Sequence, residues 1–193
     1  RSLPTFYGNS QAIHRHSFVR PPISALRGLT FRAKPQHLIR HNMAYCVTAL
    51  IAQSPVVESL LKGRSLVAVD LRDGWRLIPL EDDDLDSLGL DFSQVADGFT
   101  YLSPALIEFC ADLSRLGPLV YFETDYFGGA GTQGAAAFSD GYVVSPTPAT
   151  GDGAVNSALR RLGIASQSDL DEFDHLGLSR NRHTSGWKKA ATQ

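Results

Sequence analysis

Hydrophobic and polar positions along this chain switch between a strand-like and a helix-like period, and Ser-Pro, Asp-Gly and single glycines mark the switches. The apolar run Tyr45–Gln53 predicts a strand. Ser54-Pro55 then opens a short helix over "SPVVESLLKG": serine caps well, proline costs nothing at the first helical position, and Gly63 is a natural stop. "SLVAVDL" and "WRLIPL" flank "RDG" and predict a hairpin, with Asp73-Gly74 supplying the positive-φ turn. Residues 81–98 are acidic and irregular, with room for one helical turn, and "FTYL" (99–102) reads as a short strand or a lead-in.

A second Ser-Pro pair, Ser103-Pro104, starts a helix that puts Leu106, Ile107, Cys110, Leu113 and Leu116 on one face and ends at Gly117. "PLVYFETDYF" follows as a strand. "GAAAF" and "GYVVS", joined by Ser139-Asp140-Gly141, form a second Asp-Gly hairpin. Two amphipathic helices close the pattern. Val155, Leu159 and Leu162 line one, and Leu170, Phe173 and Leu176 line the other. The remainder, "LSRNRHTSGWKKAATQ", reads as a polar, basic tail. Strands and helices do not alternate strictly and two hairpins are present. The pattern therefore predicts a single α+β domain with a mixed or largely antiparallel sheet and about four helices.

Composition adds a boundary. The 193 residues are 43% apolar and 20% charged, enough for one well-buried domain, and no apolar run is long enough to span a bilayer. The net charge of −2 conceals an asymmetry: residues 1–42 hold seven Lys/Arg, four His and no acid, a charge of +7, and residues 43–193 carry −9. The break falls at Met43, the only methionine. Residues 1–42 are thus expected to be a basic arm, either a non-native extension or a disordered segment, with 43–187 as the domain and 188–193 as the tail. Two functional readings of the arm stand beside this one: a nucleic-acid or anionic-surface contact, and a transit-type presequence. Cys46 and Cys110 lie in apolar contexts without a Cys-x-x-Cys pair, so free thiols are expected and a zinc site is not.

Candidate chemistry centres on "YFETDYFGGAGTQGAAAF". Gly129, Gly131 and Gly134 have the G-x-G-x-x-G spacing of a dinucleotide-binding turn, but only "AAAF" follows before the next turn, too little for the helix that would hold a pyrophosphate. The glycines instead fit a tight connection between strands, or a surface against which another chain lies beside Tyr126 and Phe127. Glu123 and Asp125 are two apart on a strand and so share a face, as a carboxylate pair for acid–base work would. With Gln133 they are the weak catalytic candidates.

The run Glu81-Asp82-Asp83-Asp84-Leu85-Asp86 fails as a calcium loop because the sixth and twelfth places hold Ser87 and Ser93. It reads as a solvated face or as a decoy surface for a basic protein. His175 falls near the C-terminus of a helix, where an imidazolium suits the dipole.

"YFETDYFGGAGTQGAAAF", "NSALRRLGI" and "DEFDHLGLSRNRHTSGW", with the opening "MAY-VTALIA" of residues 43–52, resemble an uncharacterised family of small bacterial proteins sharing F-G-G-x-G-x-Q and D-E-F-D-x-L-G-L motifs. The resemblance covers about residues 43–187 and implies Met43 as the start. It implies no activity and no site residues. The expected function is a small cytoplasmic bacterial protein-binding protein of immunity or inhibitor type, without cofactor or metal and with no membrane contact. Its contact residues would be Tyr126, Phe127, Gly128, Gly129, Gly131, Gln133, Asp82, Asp83 and Asp84. The alternatives are an enzyme using Glu123 and Asp125, and nucleic-acid binding through residues 1–42, the less favoured ligand.

Overall fold

The computed structural model describes residues 30–33, 44–127, 130–144, 149–151, 153–166 and 169–193, with the side chains of 31–33 and 149 excluded. The rest of the basic arm, Gly128 and Gly129 lie outside the described residues.

The strands are β1 (Phe31–Ala33), β2 (Ala44–Gln53), β3 (Val69–Asp70), β4 (Trp75–Pro79), β5 (Gln94–Ala96), β6 (Leu119–Phe127), β7 (Ala130–Ser139), β8 (Tyr142–Val143) and β9 (Ala149–Thr150). The helices are α1 (Ser54–Leu61), α2 (Asp82–Ser87), α3 (Pro104–Leu113), α4 (Ala154–Arg161), α5 (Glu172–Leu176) and α6 (Thr184–Ala190). The fold is α+β. The main sheet runs β3-β4-β2-β6-β7-β8, with β9 also on β7, and every one of its ladders is antiparallel. β1 and β5 form a separate two-stranded antiparallel sheet.

Two buried clusters, one on each face of the main sheet, explain why β2 and β6 read as continuous apolar runs instead of alternating ones. On one face Leu50, Ile78, Tyr121 and Phe138 pack with Val57 and Leu60 of α1, Leu85 of α2, and Leu106, Ile107 and Cys110 of α3. On the other, Ile51, Leu77, Phe122 and Ala137 pack with Val155 and Leu159 of α4, Leu176 of α5, Leu178 and Trp187. Burying an apolar side chain of this size is worth about 1.5–3 kcal/mol, so each face carries a full core.

Both Asp-Gly hairpins form. Asp73 (φ 56°) and Gly74 (φ 74°) turn β3 into β4, and Asp140 (φ 55°) and Gly141 (φ 87°) turn β7 into β8. Paired positive φ values twist the turn in the sense that strands need. The first strand of the β3–β4 hairpin is shorter than the pattern suggested, because residues 65–68 stay irregular.

Of the two readings of "FTYL", the lead-in holds: it is a loop running into α3. Two expectations need correction. Six α-helices stand among the described residues where about four were expected, since α2 and α6 also form. The basic tail is the helix α6, and its Trp187 is fully buried. β4 covers β2 only from Ala49 onward, and the tail takes over the rest of that edge. The Cys46 amide donates to the Arg182 carbonyl (2.8 Å) and the Thr48 amide to Thr184 Oγ1 (3.1 Å). The chain's end thus satisfies backbone groups that would otherwise be orphaned.

Candidate functional site

Strand alternation puts Glu123 and Asp125 on the face that carries Leu119 and Tyr121, but it does not make them a pair. Glu123 is buried, 7% exposed. Its Oε1 accepts from the amides of Tyr101 (2.9 Å) and Leu102 (3.1 Å) and from the Tyr121 hydroxyl (2.7 Å), and its Oε2 accepts from the Thr100 amide (2.6 Å). Three successive backbone N–H groups make a concave anion cradle of the kind that elsewhere binds phosphate. Here the chain's own carboxylate fills it. Burial pushes the Glu123 carboxyl above its ordinary value, while the Tyr121 hydroxyl and the backbone amides oppose the shift by favouring the ionised form. The carboxylate fixes the 99–102 loop immediately before α3, where Ser103 caps the helix by accepting from the Leu106 amide (3.1 Å).

Asp125 is exposed and has a different neighbour. It lies directly opposite Cys46 in the β2–β6 ladder, and the Cys46 thiol donates to Asp125 Oδ1 (3.3 Å). Burial, then the hydrogen bond to Asp125, pushes the Cys46 thiol up to about 11. Such a thiol stays protonated at neutral pH and is a poor nucleophile. Cys110 is fully buried in the first cluster and its thiol is raised by burial alone. Both cysteines are free.

Gly131 and Gly134 each have a packing reason to be glycine. Gly131 and Gly134 lie inside β7 and not in a loop, which removes the dinucleotide topology entirely. Gly131 faces Tyr126, where an added Cβ would stand 2.2 Å from the Asp125 carbonyl oxygen, so the backbones themselves require glycine. Gly134 faces Glu123, and a Cβ there would meet the Phe99 ring at 2.6 Å. Phe99 therefore lies in the gap that Gly134 leaves. Glu123 and Gly134, directly opposite each other, together seat the 99–102 loop.

Gln133, expected in a loop, is also in β7, and both ends of its amide are in use. Its Nε2 donates to the Tyr126 hydroxyl (2.9 Å) and its Oε1 accepts from the Val155 amide (3.0 Å) in the first turn of α4. That turn has no side-chain cap of its own, its cap residue being Gly153. A strand glutamine supplies the missing acceptor. Phe127 is 47% exposed at the end of β6.

The acidic run divides. Asp82, Asp83 and Asp86 are exposed; Asp84 is buried. Asp84 accepts from the Glu81 amide (2.8 Å), closing the first turn of α2, and from Lys188 Nζ (2.7 Å), which also reaches Glu81 (3.2 Å). Asp82 accepts from the Tyr101 hydroxyl. Asp84 is thus a core anchor for α6, not a contact residue, and Asp82 is held by the loop that Glu123 organises.

Two polar links have no local signal in the chain. His175, 5% exposed, meets Asp73 of the first hairpin turn through Nε2 (2.7 Å), tying α5 to the β3–β4 hairpin. Its position near the helix C-terminus was readable, but its partner 102 residues away was not. Glu172, also buried, pairs with Arg160 of α4 (3.0 Å). Among the described residues no group of three or more His, Cys, Asp or Glu side chains is placed to hold a metal ion, and no helix is long and apolar enough to cross a membrane. Compared with protein-family models, curated proteins and solved structures, the chain matches none.

Proposed function

We propose that this chain is a cytoplasmic bacterial protein-binding protein of immunity or inhibitor type. It would meet a basic partner at the sheet end that carries Asp125 and Phe127, flanked by Asp82, Asp83 and Asp86 of α2. The observation that supports this most is the division of labour among polar groups. Glu123, Gln133 and Asp84, which chemistry would need free, are each consumed by bonds within the chain. The exposed groups on this end include carboxylates and an aromatic ring, beside Arg182 and His183 of the C-terminal segment next to Cys46. The carboxylates are connected through one residue: Tyr101 bonds Asp82 with its side-chain hydroxyl and Glu123 with its backbone amide, and Glu123 is two residues from Asp125. An aromatic anchor ringed by charge is the usual make-up of a protein contact, with the charge setting approach rate and specificity.

Four internal donors count against Glu123 as a base for the enzyme alternative, which would then rest on the exposed Asp125. The nucleic-acid alternative rests on residues that, apart from 30–33, lie outside the described ones.

The test is capture from cell lysate with the full chain, beside a Phe127→Ser, Asp83→Asn, Asp86→Asn variant. The full chain is expected to retain a discrete basic protein, and the variant to release it at lower salt or fail to retain it. Retention of the same protein with the same salt midpoint on both would end this reading.

A further inference from the structure

The β1–β5 sheet stands apart from the main sheet, and its two strands differ in kind. β5 belongs to the folded body: Val95 and Ala96 are fully buried, and one edge of the strand is closed by the Ala96 amide donating to the Leu102 carbonyl (2.8 Å). β1 comes from a segment of 42 residues with seven Lys/Arg and no acid. It sits on the other edge of β5 in the register Phe31↔Ala96, Arg32↔Val95, Ala33↔Gln94. The Asp97 amide donates to the Thr30 carbonyl (2.9 Å), and the Thr30 hydroxyl donates to the Asp97 carboxylate. Antiparallel alternation then makes Arg32–Val95 the next hydrogen-bonded pair, while the Ala96 amide points away to Leu102. Asp91 and Asp97, both exposed, flank β5 on either side, giving an edge whose charge is opposite to that of the strand it holds.

We infer that this edge of β5 is a docking seat for an extended basic peptide, taken up by strand addition, with Thr30–Ala33 as its resident occupant. Main-chain bonds to Val95 and Asp97 supply the grip, and Asp91 and Asp97 select for positive charge. A three-residue ladder is a marginal structure, so a competing peptide of the same character can displace it. The ability to hold such a segment belongs to β5, whatever the origin of residues 1–42. This seat is independent of the Phe127 surface, and the assay below does not read that surface.

The probe is a fluorescein-labelled peptide copying residues 28–36, followed by anisotropy against the full chain and against its Arg32→Pro variant, whose proline removes the amide facing Val95. With the resident strand weakened, the variant is expected to bind the peptide at least ~10-fold more tightly than the unaltered chain, the gain being the occupancy that the resident no longer takes. Raising salt should weaken binding, and adding Asp97→Asn to the variant should weaken it further. Hydrogen exchange provides a second reading that does not depend on affinity. The Asp97 amide should lose protection in Arg32→Pro while Leu50 in β2 keeps it, and saturating peptide should restore Asp97. Thr30→Val, which removes only the hydroxyl bond, should give the same change at smaller size. The inference is overturned if the peptide binds parent and variant equally, if a scrambled peptide of the same composition binds as well, or if Asp97 stays unprotected at saturating peptide.

Discussion

Replacing Glu123 separates a structural carboxylate from a catalytic one, because the two predict opposite signs. Catalytic carboxylates are commonly kept at a cost in stability, and removing one relieves desolvation and strengthens the fold. Glu123 should behave the other way. Glu123→Ala strips the acceptor from the amides of Thr100, Tyr101 and Leu102 and from the Tyr121 hydroxyl. The Thr100 amide is part-buried and can be rehydrated. The other three donors are buried, and at roughly 1–2 kcal/mol for each buried donor left without a partner the loss is about 4 kcal/mol.

Glu123→Gln is the finer instrument. Oε1 carries three of the four bonds, so an amide with its oxygen in that place keeps them and turns its NH2 toward the Thr100 N–H. One bond is lost and two donors face each other, a cost of about 2 kcal/mol. In urea unfolding followed by tryptophan fluorescence, with a slope of about 2 kcal/mol/M, the midpoint should fall by about 2 M for alanine and about 1 M for glutamine. Tyr121→Phe, which removes one donor and leaves the rest, should cost about 1 kcal/mol. The expected order is Ala, then Gln, then Tyr121→Phe. A Glu123→Gln protein as stable as the parent, or more stable, would refute the cradle and return Glu123 to the catalytic candidates.

The remaining predictions bear on the glycines, the thiols and the C-terminal helix. Gly131→Ala should cost about 3 kcal/mol or more in the same unfolding assay, because its Cβ meets backbone that cannot retreat. Gly134→Ala meets only the Phe99 ring, so its cost in a Phe99→Ala background should be clearly smaller than alone, and additivity would count against the seat described for Phe99. Native Cys46 should react with a thiol reagent at pH 8 about a hundredfold more slowly than a thiol of pKa 9.0, speeding up toward pH 11, and Asp125→Asn should accelerate it. The same shift has a stability sign. An unfolded thiol ionises near 9 while the folded one holds its proton to about 11, so this contribution is complete below pH 9 and is lost as pH rises through that window. Trp187→Ala should cost about 4 kcal/mol, as expected of a fully buried indole and not of a residue in a solvated tail.

Much of the fold was legible because its signals are local. Ser-Pro before an apolar run marks the start of α1 and α3, with proline in the first turn of each. Only Ser103 caps as expected: Ser54 lies inside α1 behind Gln53, whose side chain makes no cap bond. Asp-Gly between apolar runs turns both hairpins. The two elements not counted as helices, α2 (expected as at most one turn) and α6, fail that condition. α6 carries Lys188, Lys189 and a single large apolar residue, so nothing in its periodicity announces burial; Trp187 is buried because β2 is left uncovered ahead of Ala49 and the second cluster has space there. α2 is almost wholly acidic, and besides its own capping box and Leu85 in the core it is tied down by Tyr101 and by Lys188, the latter over a hundred residues away. Leu116 shows the converse. Its spacing continues the apolar face of α3, but the helix ends at Leu113 and Leu116 is 51% exposed.

The strand positions of the candidate residues were legible but their bonding was not, and strand register explains the difference. Period-two spacing correctly gives Glu123 and Asp125 one face, but it does not reveal what crosses that face. The β6–β7 ladder sets Gly134 opposite Glu123, and that juxtaposition lets Phe99 descend far enough for the next three amides to reach the carboxylate. The β2–β6 ladder sets Cys46 opposite Asp125, giving the second carboxylate a thiol in place of a partner acid. The most suggestive polar residues of the sequence are therefore spent on holding a loop, a helix start and a strand edge in position. Gln133, committed at both ends of its amide, makes the same point as Glu123. A polar residue placed in an apolar strand must satisfy its own hydrogen bonds before it can serve a ligand. The two proposed contacts use groups that the core does not claim: Phe127 and the exposed carboxylates at one end of the sheet, and the edge of β5 with its basic occupant.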